Sequence, residues 1–211
     1  MCERHGEELQ KKFSSATVAV CGLGGLGSNI AISLARAGIG KLILIDFDRV
    51  DITNLHRQQY KANQIGMNKT DALRDNLLEI APYVTLETHT IRLTEENAVE
   101  LMKDADIICE AFDNAEAKAM LTNLVLETLH DKYLVAASGM AGFGSANTIQ
   151  TRIVAKRFYL CGDGASDVQT EGSLVASRVM LCAAHQAHTV LRILAGEFEA
   201  YRKKDIKNEQ R

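Results

Sequence analysis

The sequence lacks the features that nucleic-acid-binding, membrane-spanning and secreted proteins usually carry. Its net charge is -3, from 24 Lys and Arg against 27 Asp and Glu, so it has no basic surplus for neutralising a phosphate backbone. No apolar run is long enough to cross a bilayer, and the charged first segment, MCERHGEELQKKF, is unlike a signal peptide. These absences predict a cytoplasmic protein that binds neither nucleic acid nor membranes.

Cysteine pairs with metal-ligand spacing are also missing. The five cysteines are an odd number, are widely scattered and form no C-x-x-C pair. They stand at positions 2, 21, 109, 161 and 182. Reduced thiols fit this pattern best. Cys21 and Cys109 lie in apolar segments and are expected to be buried, whereas Cys161, at the start of a polar loop, is the thiol that we expect chemical reagents to label.

The order of predicted elements indicates one α/β domain over residues 1–211. Short β-branched or apolar runs at 16–22, 41–46, 84–89, 106–112 and 133–137 alternate with segments of helical spacing, and a long helix is predicted over 173–194. This alternation is typical of a doubly wound, Rossmann-like fold with a mainly parallel sheet. Residues 139–160 suggest further strands, expected to be antiparallel. We predict a helix within 1–14 and a solvated tail over 196–211.

A glycine-rich turn follows the first predicted strand. In CGLGGLGSNI the glycines are Gly22, Gly24, Gly25 and Gly27, and a helical pattern begins directly after them. Removing side chains there lets backbone N–H groups approach a phosphate at a helix N-terminus. Asp46 ends the next strand about 20 residues on, where a carboxylate can accept hydrogen bonds from a ribose. The pattern therefore predicts an adenine-nucleotide site, the alternative being a turn that only packs helix against sheet.

The polar segment DFDRVDITNLHRQ, residues 46–58, favours ATP over NAD. It starts at the carboxyl end of the second strand, where α/β proteins bind ligands, and Asp48 and Arg57 are among its charged residues. A hydride-transfer enzyme has no need of Arg57 beside a ribose, whereas a triphosphate attracts a guanidinium. Lys69, near the start of the next helix, adds a second cation to the same crevice.

Asp113 is the candidate metal ligand. It follows another predicted strand, in FDNAEAK, and precedes a helix. A bare carboxylate there would repel phosphates, so we interpret it as a ligand of Mg²⁺. The alternative is that Asp113 is the N-cap of the helix.

The motifs Gly22-x-Gly24-Gly25-x-Gly27, DFDRVDITNLHRQ, GMNK and FDN occur in an order that resembles the ThiF/MoeB adenylyltransferases of the ubiquitin-activating-enzyme superfamily. The likeness extends over most of the chain and is nearest to the compact ThiF branch. It implies that Asp46 holds the ribose and that Asp113 binds Mg²⁺. It also implies phosphate contacts from three side chains, with Gln58 beside them: Asn54, Arg57 and Lys69.

The same resemblance implies an activity and partners. The expected reaction is ATP-dependent adenylation of the C-terminal glycine of a ThiS-like ubiquitin-like sulfur carrier ending in Gly-Gly, which yields carrier-AMP and pyrophosphate for thiamine thiazole synthesis. An α-carboxyl group, with a pKa of about 3.3 to 3.7, is already ionised at neutral pH, so no catalytic base is needed. Relatives place an N-terminal arginine on the partner subunit's phosphates, which here implies Arg4 and a homodimer. A cysteine desulfurase or another sulfur donor is a further expected partner.

Two departures from the family pattern affect the expectations. Relatives often bind zinc through two C-x-x-C pairs, which this chain lacks, so we expect no zinc. Some relatives place a cysteine in the loop before the last long helix, where it can join the carrier through sulfur. This chain has SDVQTEG there, without a cysteine, and Cys161 is the nearest thiol. The segment MAGFG, residues 140–144, is either an entrance for the carrier's tail or a simple turn.

Other functions remain open from the sequence alone. The chain could activate a MoaD-type carrier, or the carboxylate of a small molecule or a tRNA. An NAD-dependent oxidoreductase and a non-catalytic nucleotide-binding scaffold are further alternatives.

Overall fold

The computed structural model describes residues 6–198 of the chain, so Cys2, Arg4 and the segment from 199 onward lie outside the described residues. In this part the strands are β1 Thr17–Cys21, β2 Lys41–Ile45, β3 Thr85–His89, β4 Ile107–Glu110, β5 Tyr133–Ala137, β6 Gln150–Ala155 and β7 Phe158–Gly162. The α-helices are α1 Glu7–Ser14, α2 Gly25–Ala37, α3 Lys69–Ile80, α4 Glu95–Met102, α5 Ala115–Thr128, α6 Val168–Glu171 and α7 Ala176–Ala195.

The seven strands form one sheet in the order β3-β2-β1-β4-β5-β7-β6. All neighbours are parallel except β6 and β7, which are antiparallel. The Rossmann-like prediction is therefore confirmed. Of the two strands that follow Ser138, however, only β6 runs against the main direction. After β5 the chain forms β6 at the edge of the sheet and leaves one strand position open beside β5. A tight hairpin at 156–157 then brings the chain back into that position as β7, which is parallel to β5.

Two further boundaries differ from the sequence prediction. The long helix begins at Ala176 rather than Ser173, and the loop predicted over 161–172 contains the end of β7 and the short helix α6. The short helix forms because Asp167 accepts a hydrogen bond from the Gln169 N–H, and Gly172 ends it in the left-handed conformation.

The sheet separates two apolar cores because successive side chains of a strand point to opposite faces. In β1, Val18 and Val20 face the larger core, whereas Ala19 and Cys21 face the smaller one. Helices α1, α2, α3 and α7 cover the larger core, with Ile30, Leu34, Leu73, Val179 and Val190 among its members. Helices α4 and α5 cover the other face, through Met102, Leu121 and Val125. Within residues 6–198, none of the helices is both long and apolar enough to span a membrane.

The glycine-rich turn joins β1 to α2 at closer range than side chains would allow. Gly22 has a φ of 91°, and a Cβ there would lie 2.9 Å from the Ala111 carbonyl oxygen. A Cβ on Gly27 would overlap the carbonyl oxygen of Gly22. The first turn of α2 therefore sits directly against the end of β1, which fixes where its N-terminus points.

We expect Gly27→Ala to lower the free energy of unfolding by about 1–3 kcal/mol, because the added methyl group must push α2 away from the Gly22 carbonyl. Urea unfolding followed by circular dichroism measures this loss. Gly24→Ala is the matched control, since the nearest atom to its Cβ is Gln58 Nε2 at 3.8 Å. Equal urea midpoints for the two variants would contradict the packing role of Gly27.

Candidate active site

The candidate site lies at the carboxyl ends of β2, β1 and β4, which are neighbours in the sheet. The chain continues from β1 to β2 on one side and returns to β4 on the other, so the strand order reverses beside β1. Ligands of open α/β sheets bind at such a reversal. The glycine turn, Asp46 and Asp113 follow β1, β2 and β4 respectively, so the structure brings these predicted elements to one edge.

The N-terminus of α2 presents uncapped backbone donors at this edge. Gly24 is the N-cap and makes no side-chain capping bond, and the first turn contains no acidic residue. The amides of a helix's first turn have no acceptor within the helix. Together with the helix dipole, they form a site suited to an anion.

Arg57 and Gln58 lie over the glycine turn. The ideal Cβ position at Gly25 is 3.4 Å from Arg57 Cγ, and that at Gly24 is 3.8 Å from Gln58 Nε2. The Arg57 guanidinium makes two local contacts, a long hydrogen bond of 3.3 Å to the Thr53 carbonyl and a contact of 3.2 Å with His56 Nε2. Gln58 is only 7% exposed, yet within residues 6–198 its Oε1 has no hydrogen-bond partner. A buried carboxamide oxygen without a donor is costly, so this atom is a candidate ligand contact.

Two buried side chains that the sequence analysis missed hold this segment in place. Asn29 Nδ2 donates to the carbonyl oxygens of Gly25 and Arg57, at 2.6 and 3.3 Å. The Tyr60 hydroxyl donates to the Leu23 carbonyl at 2.7 Å. Asn29 could have been found from the sequence, because it is a polar residue within the apolar pattern of a helix. Such a residue needs a hydrogen-bond partner when it is buried.

Asp46 connects the end of β2 to the glycine turn. Its Oδ2 accepts the Leu23 N–H at 2.6 Å and its Oδ1 accepts the Asp48 N–H at 2.7 Å. Burial raises the pKa of this carboxyl, and the Lys69 ammonium and both amides oppose that rise. Each oxygen keeps a second lone pair, so a ribose contact is compatible with these bonds.

Lys69 is buried at the start of α3 and pairs with Asp48. Lys69 Nζ lies 2.8 Å from Asp48 Oδ2, and the side chains are 7% and 49% exposed. The pair is therefore open to solvent on the Asp48 side only. The Lys69 N–H also donates to the Asp48 carbonyl, which fixes the start of α3 against the polar segment.

Asn54 has local hydrogen bonds in the part of the chain that the structure describes. Its Oδ1 accepts the Asp51 N–H at 3.2 Å, which closes the capping box of the turn Ile52–Asn54. Its Nδ2 lies 3.5 Å from Thr53 Oγ1. The phosphate contact of Asn54 stays a prediction.

Asp113 lies in the exposed turn between β4 and α5. The N-cap of α5 is Asn114, whose Oδ1 accepts the Ala117 N–H at 2.9 Å, so the alternative that Asp113 caps this helix is wrong. Over residues 6–198, no group of three His, Cys, Asp or Glu side chains has metal-site spacing. Mg²⁺ commonly uses one or two carboxylates together with substrate phosphates, so Asp113 is chemically suited to that role.

A second ion pair holds the MAGFG segment. Arg178 of α7 lies 2.6 Å from Asp163 Oδ2 and also donates to the carbonyls of Ala141, Gly144 and Ser145. Burial opposes ionisation of Asp163, but hydrogen bonds from the Ser166 and Ala165 amides and from Arg178 outweigh it and lower its pKa to about 2. The segment borders a cavity of about 150 Å³, at whose rim Phe143 is 86% exposed.

The structure corrects the expectation for Cys161. Its side chain is completely buried in β7, beside Thr151 and Thr189. Burial raises the pKa of the thiol, although the two hydroxyls partly offset that effect. The polar sequence after Cys161 suggested a loop, but the residue itself belongs to the strand, so it is not the accessible thiol that we expected.

Comparisons with known proteins agree with this architecture. A family model described as "ThiF family" matches residues 1–210. The adenylyltransferase and sulfurtransferase MOCS3 of Caenorhabditis briggsae is 37% identical over 120 residues, which are 56% of this chain and 30% of that protein. Ubiquitin-like modifier-activating enzyme 5 of the same species is 39% identical over 138 residues, 65% of this chain and 30% of that protein. The chain thus spans about a third of the length of these curated relatives.

A solved structure shows the same fold. The Escherichia coli tRNA N6-threonylcarbamoyladenosine dehydratase TcdA, in complex with ATP, superimposes with a TM-score of 0.83 at 22% identity, covering 93% of this chain and 92% of that one.

We expect the four described cysteines, including Cys161, to react slowly with iodoacetamide in the native protein, because all four are buried. Alkylation of Cys161 should accelerate by about 100-fold or more in unfolding concentrations of urea, since reaction requires opening of the structure. Peptide mass spectrometry after timed labelling measures each rate separately. Rapid native alkylation of Cys161, compared with buried Cys109 as the reference, would contradict the burial described.

Proposed function

The chain belongs to the ThiF family, and on that premise we propose that it is an adenylyltransferase that binds ATP with Mg²⁺ and activates a carboxylate. The observation that carries the proposal is the convergence at one sheet edge of the uncapped α2 N-terminus, Lys69 and the Asp113 turn, with Gln58 Oε1 beside them as an acceptor that has no partner among the described residues. The donors and cations suit a triphosphate, and the exposed carboxylate of Asp113 suits a metal ion bound to it.

We propose that each side chain has a distinct task. Asp46, beside the Leu23 amide, accepts a hydrogen bond from the ribose. The α2 amides, Arg57 and Lys69 hold the phosphates, and Asp113 would hold Mg²⁺, which would supply charge neutralisation. Asp48 keeps Lys69 oriented toward the crevice. Asn54 and Gln58 belong to the same polar segment, residues 46–58, and lie beside the phosphates.

The chemical step needs alignment more than proton transfer. The substrate carboxylate is an anion at neutral pH and attacks the α-phosphorus, forming an acyl-phosphate bond while the bond to pyrophosphate breaks. Two anions must approach each other, and Arg57 and Lys69 reduce that repulsion. This explains why a site without a Ser-His-Asp arrangement can support the reaction.

We further propose that the substrate is a ThiS-like ubiquitin-like sulfur carrier whose C-terminal Gly-Gly is adenylated for thiamine thiazole synthesis in the cytoplasm. Support comes from the motif resemblance and from the curated relatives, which are named as a sulfurtransferase and as a ubiquitin-like modifier-activating enzyme. The MAGFG segment, whose Gly142 and Gly144 line the cavity, would suit an unbranched glycine tail. A separate protein such as a cysteine desulfurase would supply the sulfur.

We expect Lys69→Met and Asp113→Asn each to lower carrier-dependent ATP–pyrophosphate exchange by about 100-fold or more, because each removes charge stabilisation made during phosphoryl transfer. Their matched controls are Lys61→Met, which breaks a surface pair with Glu79, and Asp104→Asn, an exposed residue before the opposite end of β4. Exchange measured with labelled pyrophosphate tests all four variants.

A panel of candidate carriers and carboxylates identifies the substrate. Purified ThiS-type and MoaD-type carriers, a tRNA fraction and small carboxylic acids are compared, and mass spectrometry detects a carrier–AMP adduct. Exchange and adduct with the ThiS-type carrier alone support the full proposal. Exchange with another substrate would retain the adenylyltransferase assignment but overturn the carrier, and unchanged exchange in Lys69→Met would remove that residue from the site.

Arg4, outside the described residues, gives a separate proposal: it completes the partner subunit's phosphate site in a homodimer. We expect a mixture of Arg4→Ala and Lys69→Met subunits to recover about a quarter of wild-type exchange, because half of the dimers would be mixed and each would contain one intact site. Sedimentation measures the dimer, and exchange after unfolding and refolding together measures recovery. A dimer without any recovery would contradict sharing.

A further inference from the structure

An ion pair between the buried Glu110 and Lys118, whose side chain is 26% exposed, lies next to the Asp113 turn. Glu110, the last residue of β4, is 1% exposed, and Lys118 Nζ lies 3.0 and 2.9 Å from its two carboxylate oxygens. Lys118 also donates to the Ala137 carbonyl, at 3.1 Å, at the end of β5. One ammonium on the first turns of α5 therefore connects the carboxyl ends of two neighbouring strands.

The Glu110 carboxylate also forms a hydrogen bond with the turn that carries Asp113. Glu110 Oε1 accepts the Phe112 N–H at 2.7 Å, so the backbone immediately before Asp113 is bonded to the buried carboxylate. On the other side of Asp113, the Asn114 cap fixes the start of α5. Asp113 thus stands between two anchored residues, while its own side chain is exposed.

The turn also contacts the glycine loop. A Cβ on Gly22 would lie 2.9 Å from both the Ala111 carbonyl oxygen and the Phe112 ring, so these groups already fill the space beside Gly22. From the opposite element, Gln186 Nε2 of α7 donates to the Glu110 and Val135 carbonyls at 3.0 and 3.2 Å. The end of β4 is therefore held by the Glu110 side chain, by the bond from Gln186 to the Glu110 carbonyl and by packing against the glycine turn.

Burying a carboxylate against an ammonium is an inefficient way to stabilise a fold, because the cost of removing the Glu110 charge from water offsets its attraction to Lys118. Apolar side chains of similar volume would fill this position at no greater cost. They would not, however, accept the Phe112 N–H or bond the Ala137 carbonyl. The directional bonds, rather than the stability of the pair, distinguish Glu110 and Lys118 from an ordinary core contact.

We propose that Glu110 and Lys118 are positioning residues that hold the turn 111–114 so that the Asp113 carboxylate faces the metal–nucleotide complex. The proposal rests on the proposed function and deepens it by naming what orients the metal ligand. Neither residue touches the nucleotide. Their effect on nucleotide binding is transmitted through Asp113, and it appears only when Mg²⁺ is present.

The test measures ATP binding to the full chain by calorimetry, with Mg²⁺ and again with a chelator. We expect Lys118→Met to weaken binding about tenfold with Mg²⁺ and to leave binding in chelator unchanged. Glu110→Gln, which keeps an acceptor for the Phe112 N–H, should have a smaller effect. Lys132→Met is the matched control, since Lys132 is a mostly buried lysine that pairs with Asp131 just before the start of β5.

A double-mutant cycle separates positioning from general damage. In an Asp113→Asn background, Lys118→Met should cause no further loss, because the group through which it acts has already been weakened. Additive losses, or equal weakening in chelator, would overturn the proposal. If Lys118→Met alone does not fold, as judged by urea unfolding, the neutral pair Glu110→Gln with Lys118→Met replaces it in the same cycle.

The ATP titration of the wild-type protein distinguishes failure of the proposed function from failure of the positioning proposal alone. Wild-type protein that binds ATP no better with Mg²⁺ than in chelator would overturn both the proposed metal role of Asp113 and the positioning proposal. Wild-type protein with Mg²⁺-dependent binding, combined with additive losses in the cycle, would leave the proposed function intact and overturn only the role of Glu110 and Lys118.

Discussion

The contact between the Gly22 carbonyl and Gly27 determines where the rest of the site can be. Because no Cβ fits at Gly27, the first turn of α2 approaches the end of β1 without an intervening side chain. The helix amides therefore open at the carboxyl edge of the sheet. Groups from three other segments then bond or pack around that turn: Asp46 accepts the Leu23 N–H, Tyr60 donates to the Leu23 carbonyl, and Phe112 packs against Gly22.

Charges around this edge are largely held in pairs. Lys69 is bonded to Asp48, and Lys118 is bonded to Glu110, but the two pairs differ in access to solvent. Asp48 is about half exposed, so its charge is screened, and an anion can approach Lys69 without leaving a carboxylate buried and unpaired. Glu110 is enclosed, and separating Lys118 from it would leave a buried charge without a partner. The first pair is suited to exchange with a ligand and the second to holding structure.

Local patterns in the sequence were sufficient for the main architecture and for part of the site. The β-branched runs and the glycine spacing predicted β1, α2 and β2 because those features depend on neighbouring residues. Three features depended on tertiary pairing and were missed: the position of β6 outside β7, the bonds of Asn29 to the polar segment, and the pair between Glu110 and Lys118. Nothing within the FDNAEAK segment indicates that its lysine reaches back to the preceding strand. The exposure of Cys161 was misjudged because the polar residues that follow it begin after the strand, not within it.

The burial of the described cysteines limits what could follow the proposed adenylation. A thiol attacks an acyl adenylate as the thiolate, and burial raises the pKa values of Cys161 and Cys182, the latter to about 12. Cys21 and Cys109 are enclosed as well, with pKa values raised by burial. Among residues 6–198, therefore, each cysteine is both shielded from a carrier's tail and poor in thiolate at neutral pH. An acyl adenylate formed at this edge of the sheet would be better attacked by sulfur brought from another protein than by any of these four thiols.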